Sequence, residues 1–169
     1  MKRKTKKLVL SALVAALACV ATLMLHIPSP LGGYINLGDG IVLVGGWLLG
    51  PLYGFIAGGI GPALADVFLG YFIYAPATFV IKGAVAIVAY FIFRSLSKSV
   101  SKAAAYVLSG IVAEAVMVVG YYVFEGFIYG FASALVNVPP NIIQGAVGVI
   151  AGALLSIMLA KTGAAKRLE

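Results

Sequence analysis

Charged residues are scarce in this chain. Asp, Glu, Lys and Arg make up 10% of its 169 residues, hydrophobic residues make up 63%, and mean hydropathy is +1.11. A soluble domain carries about a quarter of its residues as charges, so an ordinary water-soluble globule is excluded and a membrane protein is indicated. The lone cysteine, Cys19, rules out an intramolecular disulfide and leaves no thiolate cluster for a metal. The lone histidine, His26, leaves little for acid–base chemistry. GxxxxGK[ST], HExxH and GxSxG are all missing from the sequence, and no spacing of carboxylates supports an intramembrane protease. No polar block is long enough for a second domain, and the two halves do not read as inverted repeats. Residues 1–169 are therefore expected to form one domain with no catalytic residue, metal or cofactor.

Acidic residues are the rarest charges. Five Asp and Glu against twelve Lys and Arg leave a net charge of +7. The excess does not point to nucleic acid, because the basic residues sit in short flanks at Lys2–Lys7, Arg94–Lys102 and Lys161–Arg167. Flanks of that kind are topology signals. The start, "KRKTKK" followed by "LVLSALVAALACVATLML", imitates a secretory signal. However, its apolar run is as long as a bilayer span, so a retained helix is expected.

Hydropathy predicts six helices, at Leu8–Leu25, Leu37–Gly50, Pro51–Leu69, Pro76–Arg94, Ala103–Phe124 and Pro140–Lys161. The second is short for a span, and a single bent segment from Gly38 to Leu69 would satisfy hydropathy equally. Charge favours six. An even number of crossings puts all three basic flanks on one side, and "HIPSPLGGYIN", "GYFIYAP" and "EGFIYGFASALVNVPP" on the other without a lysine or arginine. The predicted fold is an all-α membrane protein, a compact bundle of six transmembrane helices with both termini cytoplasmic. Residues 1–7 form a basic flank and residues 162–169 a tail.

In this topology the buried polar residues gather in the outer half. Asp39 opens the second helix, Asp66 lies near the end of the third, and Lys82 sits inside the fourth, one turn beyond Thr78. Asn141 and Gln144 occupy positions i and i+3 of the last helix. Glu125 caps the fifth, with Glu114 deeper, and Asn36 ends the first outer loop. Tyr34, Tyr71, Tyr74, Tyr121, Tyr122 and Tyr129 share that level. Each has a structural reading: tyrosines anchor interfaces, Asp66 and Lys82 could form an ion pair, and the carboxamides could bind helix to helix. Their convergence at one depth favours a cavity for a small polar ligand entering from outside. In "GFIAGGIG", Gly54, Gly58 and Pro62 form one stripe leading to Asp66, and Ala57, Gly61 and Ala65 an adjacent one. Small residues at that spacing allow close helix packing.

The order of motifs, "GDGIV", "GPLYGFIAGGIGPALAD", "GYFIYAPATFVIKG" and "PPNIIQGAVG", resembles the substrate-binding S component of an energy-coupling factor (ECF) vitamin transporter. The nearest subgroup is the hydroxymethylpyrimidine or pyridoxine type, and Pro62 is the main departure from its pattern. The resemblance implies capture of a vitamin outside the cell by a multi-pass protein of a prokaryotic plasma membrane. It also implies partners: a transmembrane coupling subunit and two ATPase subunits, with ATP hydrolysed by the latter. It implies a ligand site drawn from Asn36, Asp39, Asp66, Tyr71, Tyr74, Lys82, Glu114, Tyr121, Asn141 and Gln144, beneath the first outer loop as a lid. Docking to the coupling subunit would use the small residues Ala12 and Ala16 on the first helix, with Ser11 and Ala15 beside them. Vitamin B6 is the expected cargo, since Lys82 could meet an ionised phenolic oxygen; hydroxymethylpyrimidine, riboflavin or another vitamin are alternatives. A self-sufficient channel or carrier, or a structural scaffold, are readings of another class.

Overall fold

The computed structural model describes residues 3–162, and over these the chain is nearly all helix. Met1, Lys2 and residues 163–169 lie outside the described residues, and with them part of the N-terminal flank and most of the expected tail. The elements are α1 (Arg3–Met24), β1 (His26–Pro28), β2 (Tyr34–Asn36), α2 (Gly38–Leu49), α3 (Pro51–Leu69) and α4 (Ala75–Leu96). There follow α5 (Lys102–Tyr129), a short α6 (Phe131–Ala134), a 3-10 turn (Leu135–Asn137) and α7 (Val138–Lys161).

α1, α3, α4, α5 and the run through α6 into α7 are long and apolar enough to cross a membrane. The 12 residues of α2 are not: at 1.5 Å each they reach only about 18 Å, against about 30 Å of hydrocarbon. Large apolar side chains such as Leu52, Phe68, Val80, Phe127 and Met158 are exposed on the bundle's flanks. Such a surface suits lipid rather than water.

Helix ends differ from the sequence expectation where no breaker stands. α1 starts at Arg3 because lysine and arginine are good helix formers, so the basic flank does not stop it. α5 runs through "EGFIY" to Gly130, which places Glu125 inside the helix rather than at its cap. At its other end Ser101 caps α5, its hydroxyl accepting from the Ala104 amide at 3.3 Å. Two turns depend on glycine. Gly50, at φ +85°, turns α2 into Pro51, the first residue of α3, and Gly70, at φ +84°, closes α3.

The small-residue stripes of α3 serve two neighbours. A Cβ at Gly54 would come within 3.0 Å of Gly46 on α2, and one at Gly61 would collide with the Ala15 carbonyl of α1. Gly46 in turn lies against the backbone of Ala86 on α4. The short α2 is thus clamped backbone to backbone between longer helices, which is how a helix too short to span is held. Beneath it Val42, Leu43, Trp47, Val85, Ala86 and Met117 form a dry core. Trp47 donates to the Ser109 hydroxyl at 3.0 Å, and Phe93 stacks on Tyr106 with centroids 4.4 Å apart.

The first connection, expected to serve as a lid, is a small antiparallel hairpin pairing Ile27 with Ile35. Its turn is closed by the Ser29 amide donating to the Gly33 carbonyl at 2.8 Å. The hairpin lies at the bundle end where α2, α4 and α7 begin and α3 and α5 finish.

Candidate functional site

Under the hairpin lies a polar cavity. Ser29, Gly33, Tyr34 and Asn36 line it from above, Pro62 and Asp66 from α3, and Tyr74, Thr78 and Lys82 from the start of α4. Tyr121 and Glu125 of α5 and Asn141 and Gln144 of α7 complete the wall. Only about 20 Å³ of open space remains among them, little more than a water molecule needs.

The side chains are tied to one another in a pattern the sequence did not disclose. Lys82 pairs with Asp39, not with Asp66. Both are almost completely buried, and the lysine ammonium also sits 5.5 Å from the Tyr121 ring centroid. Asp39 accepts a second bond, at 2.7 Å, from the Gln144 amide nitrogen. One carboxylate at the start of α2 therefore joins α4 and α7. The Gln144 carbonyl oxygen accepts from the Asn36 backbone amide at 2.8 Å, so the same carboxamide holds the hairpin down. Asn36 turns its own oxygen to the Gly38 amide, at 2.9 Å, and so shapes the entry to α2.

Asp66 is bound from above, by the hydroxyl of Tyr34. Burial, and then the neighbouring Asp66 carboxylate, push the Tyr34 phenol far above its ordinary range, so it remains a donor. Tyr34 also packs against Tyr71, centroids 4.9 Å apart. Elsewhere in the lining Tyr74 donates to Glu125 at 3.3 Å, and Asn137 donates to the same oxygen at 2.9 Å. Thr78 and Tyr121 share a hydrogen bond of 3.0 Å.

Of the residues expected from sequence, Asn36, Asp66, Tyr74, Lys82, Tyr121, Asn141 and Gln144 line the cavity. Asp39 is buried behind it, reached through Lys82 and Gln144, and Tyr71 backs Tyr34 rather than the cavity. Glu114 does not line it. Eleven residues before Glu125, it lies about 16 Å deeper, against Gly145, beside an apolar cleft between α5 and α7. Sequence reasoning left out Ser29, Gly33, Thr78 and the part played by Tyr34 and Glu125. Thr78, one turn before Lys82 on the same helical face, was the one with a readable signal. Pro62 sits one turn before Asp66 in a continuous α3, buried and facing the cavity.

On α1 the four residues of the expected docking ridge line one groove but differ in exposure. Ala12 and Ala16 are exposed, beside a groove of about 610 Å³ between α1 and α3. Ser11 is buried, its hydroxyl donating to the Lys7 carbonyl at 2.8 Å, and the Ala15 carbonyl lies against Gly61.

An apolar helical bundle with one polar cavity beneath a hairpin, at one end, is the build of a membrane protein that captures a small solute. The family model for the S component of ECF-type riboflavin transporters matches residues 2–161. The chain belongs to this family: it is an S component of an ECF-type transporter for vitamin uptake. An uncharacterised protein from the gap 3′ region of Pyrococcus woesei is 36% identical over 143 residues, 84% of this chain and 93% of that one. The fold is shared with the S component of a bacterial ECF transporter: TM-score 0.70, 24% identity, 94% of this chain and 98% of the other. It is also shared with the S component for biotin from an ECF-type ABC transporter: TM-score 0.58, 22% identity, 90% and 91% covered.

Proposed function

We propose that this chain is the vitamin-capturing subunit of a riboflavin importer, and that the cavity beneath the hairpin receives the vitamin. The observation that carries the reading is the convergence of α3, α4, α5 and α7 on one buried polar cavity, in a chain whose family model is the riboflavin type. The hairpin must lift for entry, since a flavin cannot fit into 20 Å³. Asn141 and Gln144, which both donate and accept, suit the mixed edge of a heteroaromatic ring, and Tyr34, Tyr74 and Tyr121 offer faces and hydroxyls. A pyridoxine-type ligand is the second reading, supported by the motif resemblance and by the small opening such a ring requires. The lysine argument for it no longer holds, because Asp39 already neutralises Lys82.

In the same reading, the chain crosses the membrane six times, five times by long helices and once by the short α2 shielded among its neighbours, with both termini in the cytoplasm and the hairpin facing outward. The support is that, apart from the ion-paired Lys82, the lysines and arginines among the described residues sit at the helix ends opposite the cavity. A cysteine introduced by Ser133→Cys is expected to react with an impermeant reagent from outside, and one introduced by Ser99→Cys is not. The reverse labelling would invert the orientation.

Uptake would proceed through a transmembrane coupling subunit and two ATPase subunits, docked against the exposed Ala12 and Ala16 of α1. Small residues there let a partner helix approach closely. Replacing either by tryptophan is expected to leave riboflavin binding to the isolated chain intact while abolishing ATP-driven uptake with the coupling module. Loss of both together would place the ridge in internal packing instead.

A further inference from the structure

Among the described residues, Glu114 is the one acid that neither lines the cavity beneath the hairpin nor bonds to the groups that do. It exposes only 4% of its surface, and both of its carboxyl oxygens are buried without a hydrogen-bond partner. From Glu114, α5 extends about 18 Å to Lys102 and about 22 Å to Tyr129, so the acid stands near the middle of the span. An ionisable group at that depth is expensive and normally has a partner. No side chain fills that role here. Lys82, the one lysine or arginine buried in the bundle among the described residues, is bound to Asp39.

Beside the carboxyl there is an opening instead. A cleft of about 410 Å³ between α5 and α7 is lined by Glu114 and Gly145 and walled by apolar side chains such as Ile111, Ala115, Val118 and Ile150. Its size is that of a small-molecule site, and Glu114 is the only polar side chain in its lining. Gly145 lets the acid stand at this wall, since a Cβ there would lie 3.0 Å from the Glu114 Cβ and 3.4 Å from its Oε2. A second apolar cleft, of about 520 Å³, continues along the same two helices past Val107 and Ile150 to Ala103 and Ile157. Glu114 to Ala103 is about 16 Å along α5. α1 packs on α2 and α3, so these clefts are clear of its small-residue ridge.

We propose that this face is a second binding site, for a membrane-dissolved amphiphile with a protonated amine at one end and an unbranched apolar chain at the other. The ammonium pairs with the Glu114 carboxylate, bringing charge and several N–H donors to two oxygens that have none, and the chain lies in the apolar clefts. A phospholipid headgroup is not the occupant, because the interface that holds it is about 15 Å from the middle of the bilayer. An alcohol brings one donor and no charge, and an anion is repelled. The site is separate from the vitamin cavity and does not depend on which vitamin that cavity takes.

The test uses the full chain in phosphatidylcholine vesicles with dodecylamine and a membrane-soluble carbodiimide. The reagent joins an amine to a carboxyl that it touches, forming the amide and itself taking up the lost water as a urea. Mass spectrometry of the digested protein is expected to find the dodecylamide on Glu114 at least about 10-fold more often than on Asp66 or Glu125, because a bound amine is held at high effective concentration. An equal amount of dodecanol is expected to leave that yield unchanged. Ala146 lines the cleft and is exposed, so Ala146→Phe fills it without entering the core and is expected to lower the yield about 10-fold. No amide at Glu114, or an equal yield in Ala146→Phe, would overturn the proposal. So would addition of the carbodiimide itself to Glu114 without any amide, which would show a reachable acid with no amine beside it. A cross-link from Glu114 to a second copy of the chain would overturn it too and assign the face to self-association.

Discussion

Lys82→Met is expected to destabilise the folded protein by about 3–5 kcal/mol, the usual consequence of leaving one member of a buried ion pair alone. The reason lies in where the pair sits. Asp39 and Lys82 expose 0% and 1% of their surface, so neither can turn to water when its partner is lost. The methionine would keep most of the packing of the lysine stem while removing its charge. Asp39 would then retain Gln144 as its donor but face an uncompensated charge in a dry interior. The double change Asp39→Asn with Lys82→Met should recover much of the loss, because asparagine can still accept from Gln144 and no ion remains buried. Thermal unfolding of the three proteins in one detergent measures this. A double variant no more stable than the single one would mean that the pair's role is not the neutralisation of charge.

The second large effect is expected at Gln144. Its carboxamide accepts from the hairpin through Asn36 and donates to the ion pair through Asp39. Gln144→Leu preserves volume but strands a buried backbone N–H and a carboxylate oxygen, at about 1–3 kcal/mol for each group. A total of about 2–6 kcal/mol is expected, and it should fall unevenly on the molecule. Amide exchange should accelerate over Tyr34–Asn36 and the first turn of α2, while the core around Trp47 and Ala86 keeps its protection. Uniform acceleration would show a general loss of stability, and unchanged exchange in the hairpin would show that Gln144 does not hold it.

The two residues also show what could be read from the sequence. Depth was legible. The length of each apolar run fixes how far along its helix a polar residue lies, and Asp39, Asp66, Lys82, Asn141 and Gln144 were all placed at the level where the structure has them. Rotation about each helix axis was not legible, because it depends on which faces pack. Asp39 and Asp66 lay at equally suitable depths for Lys82. The choice between them is made by Gly46 and Gly58, whose lack of side chains brings α2 and α3 against α4 in one particular rotation. Glu114 was read as deeper than Glu125, and so it is: eleven residues is close to three whole turns, so it shares a face with Glu125 but not a depth.

The hairpin was legible only as a connection rich in glycine and proline. Its pairing of His26 with Asn36 follows from a turn held by Ser29 and Gly33 and from anchors on three separate helices. Tyr34 reaches Asp66 on α3, Asn36 reaches Gln144 on α7, and the Thr22 hydroxyl of α1 donates to Asn36 at 3.4 Å. Those contacts span up to 108 residues of sequence. No local pattern encodes them.

The most direct test of the account is a titration of the purified wild-type chain with riboflavin, followed by fluorescence quenching, beside Asn141→Ala and Asp66→Asn. If the cavity beneath the hairpin is the vitamin site, binding is saturable at one ligand per chain. Each substitution then weakens it about 10- to 100-fold by removing one buried hydrogen bond. Saturable binding that neither substitution disturbs would place the ligand elsewhere on the protein and contradict the account.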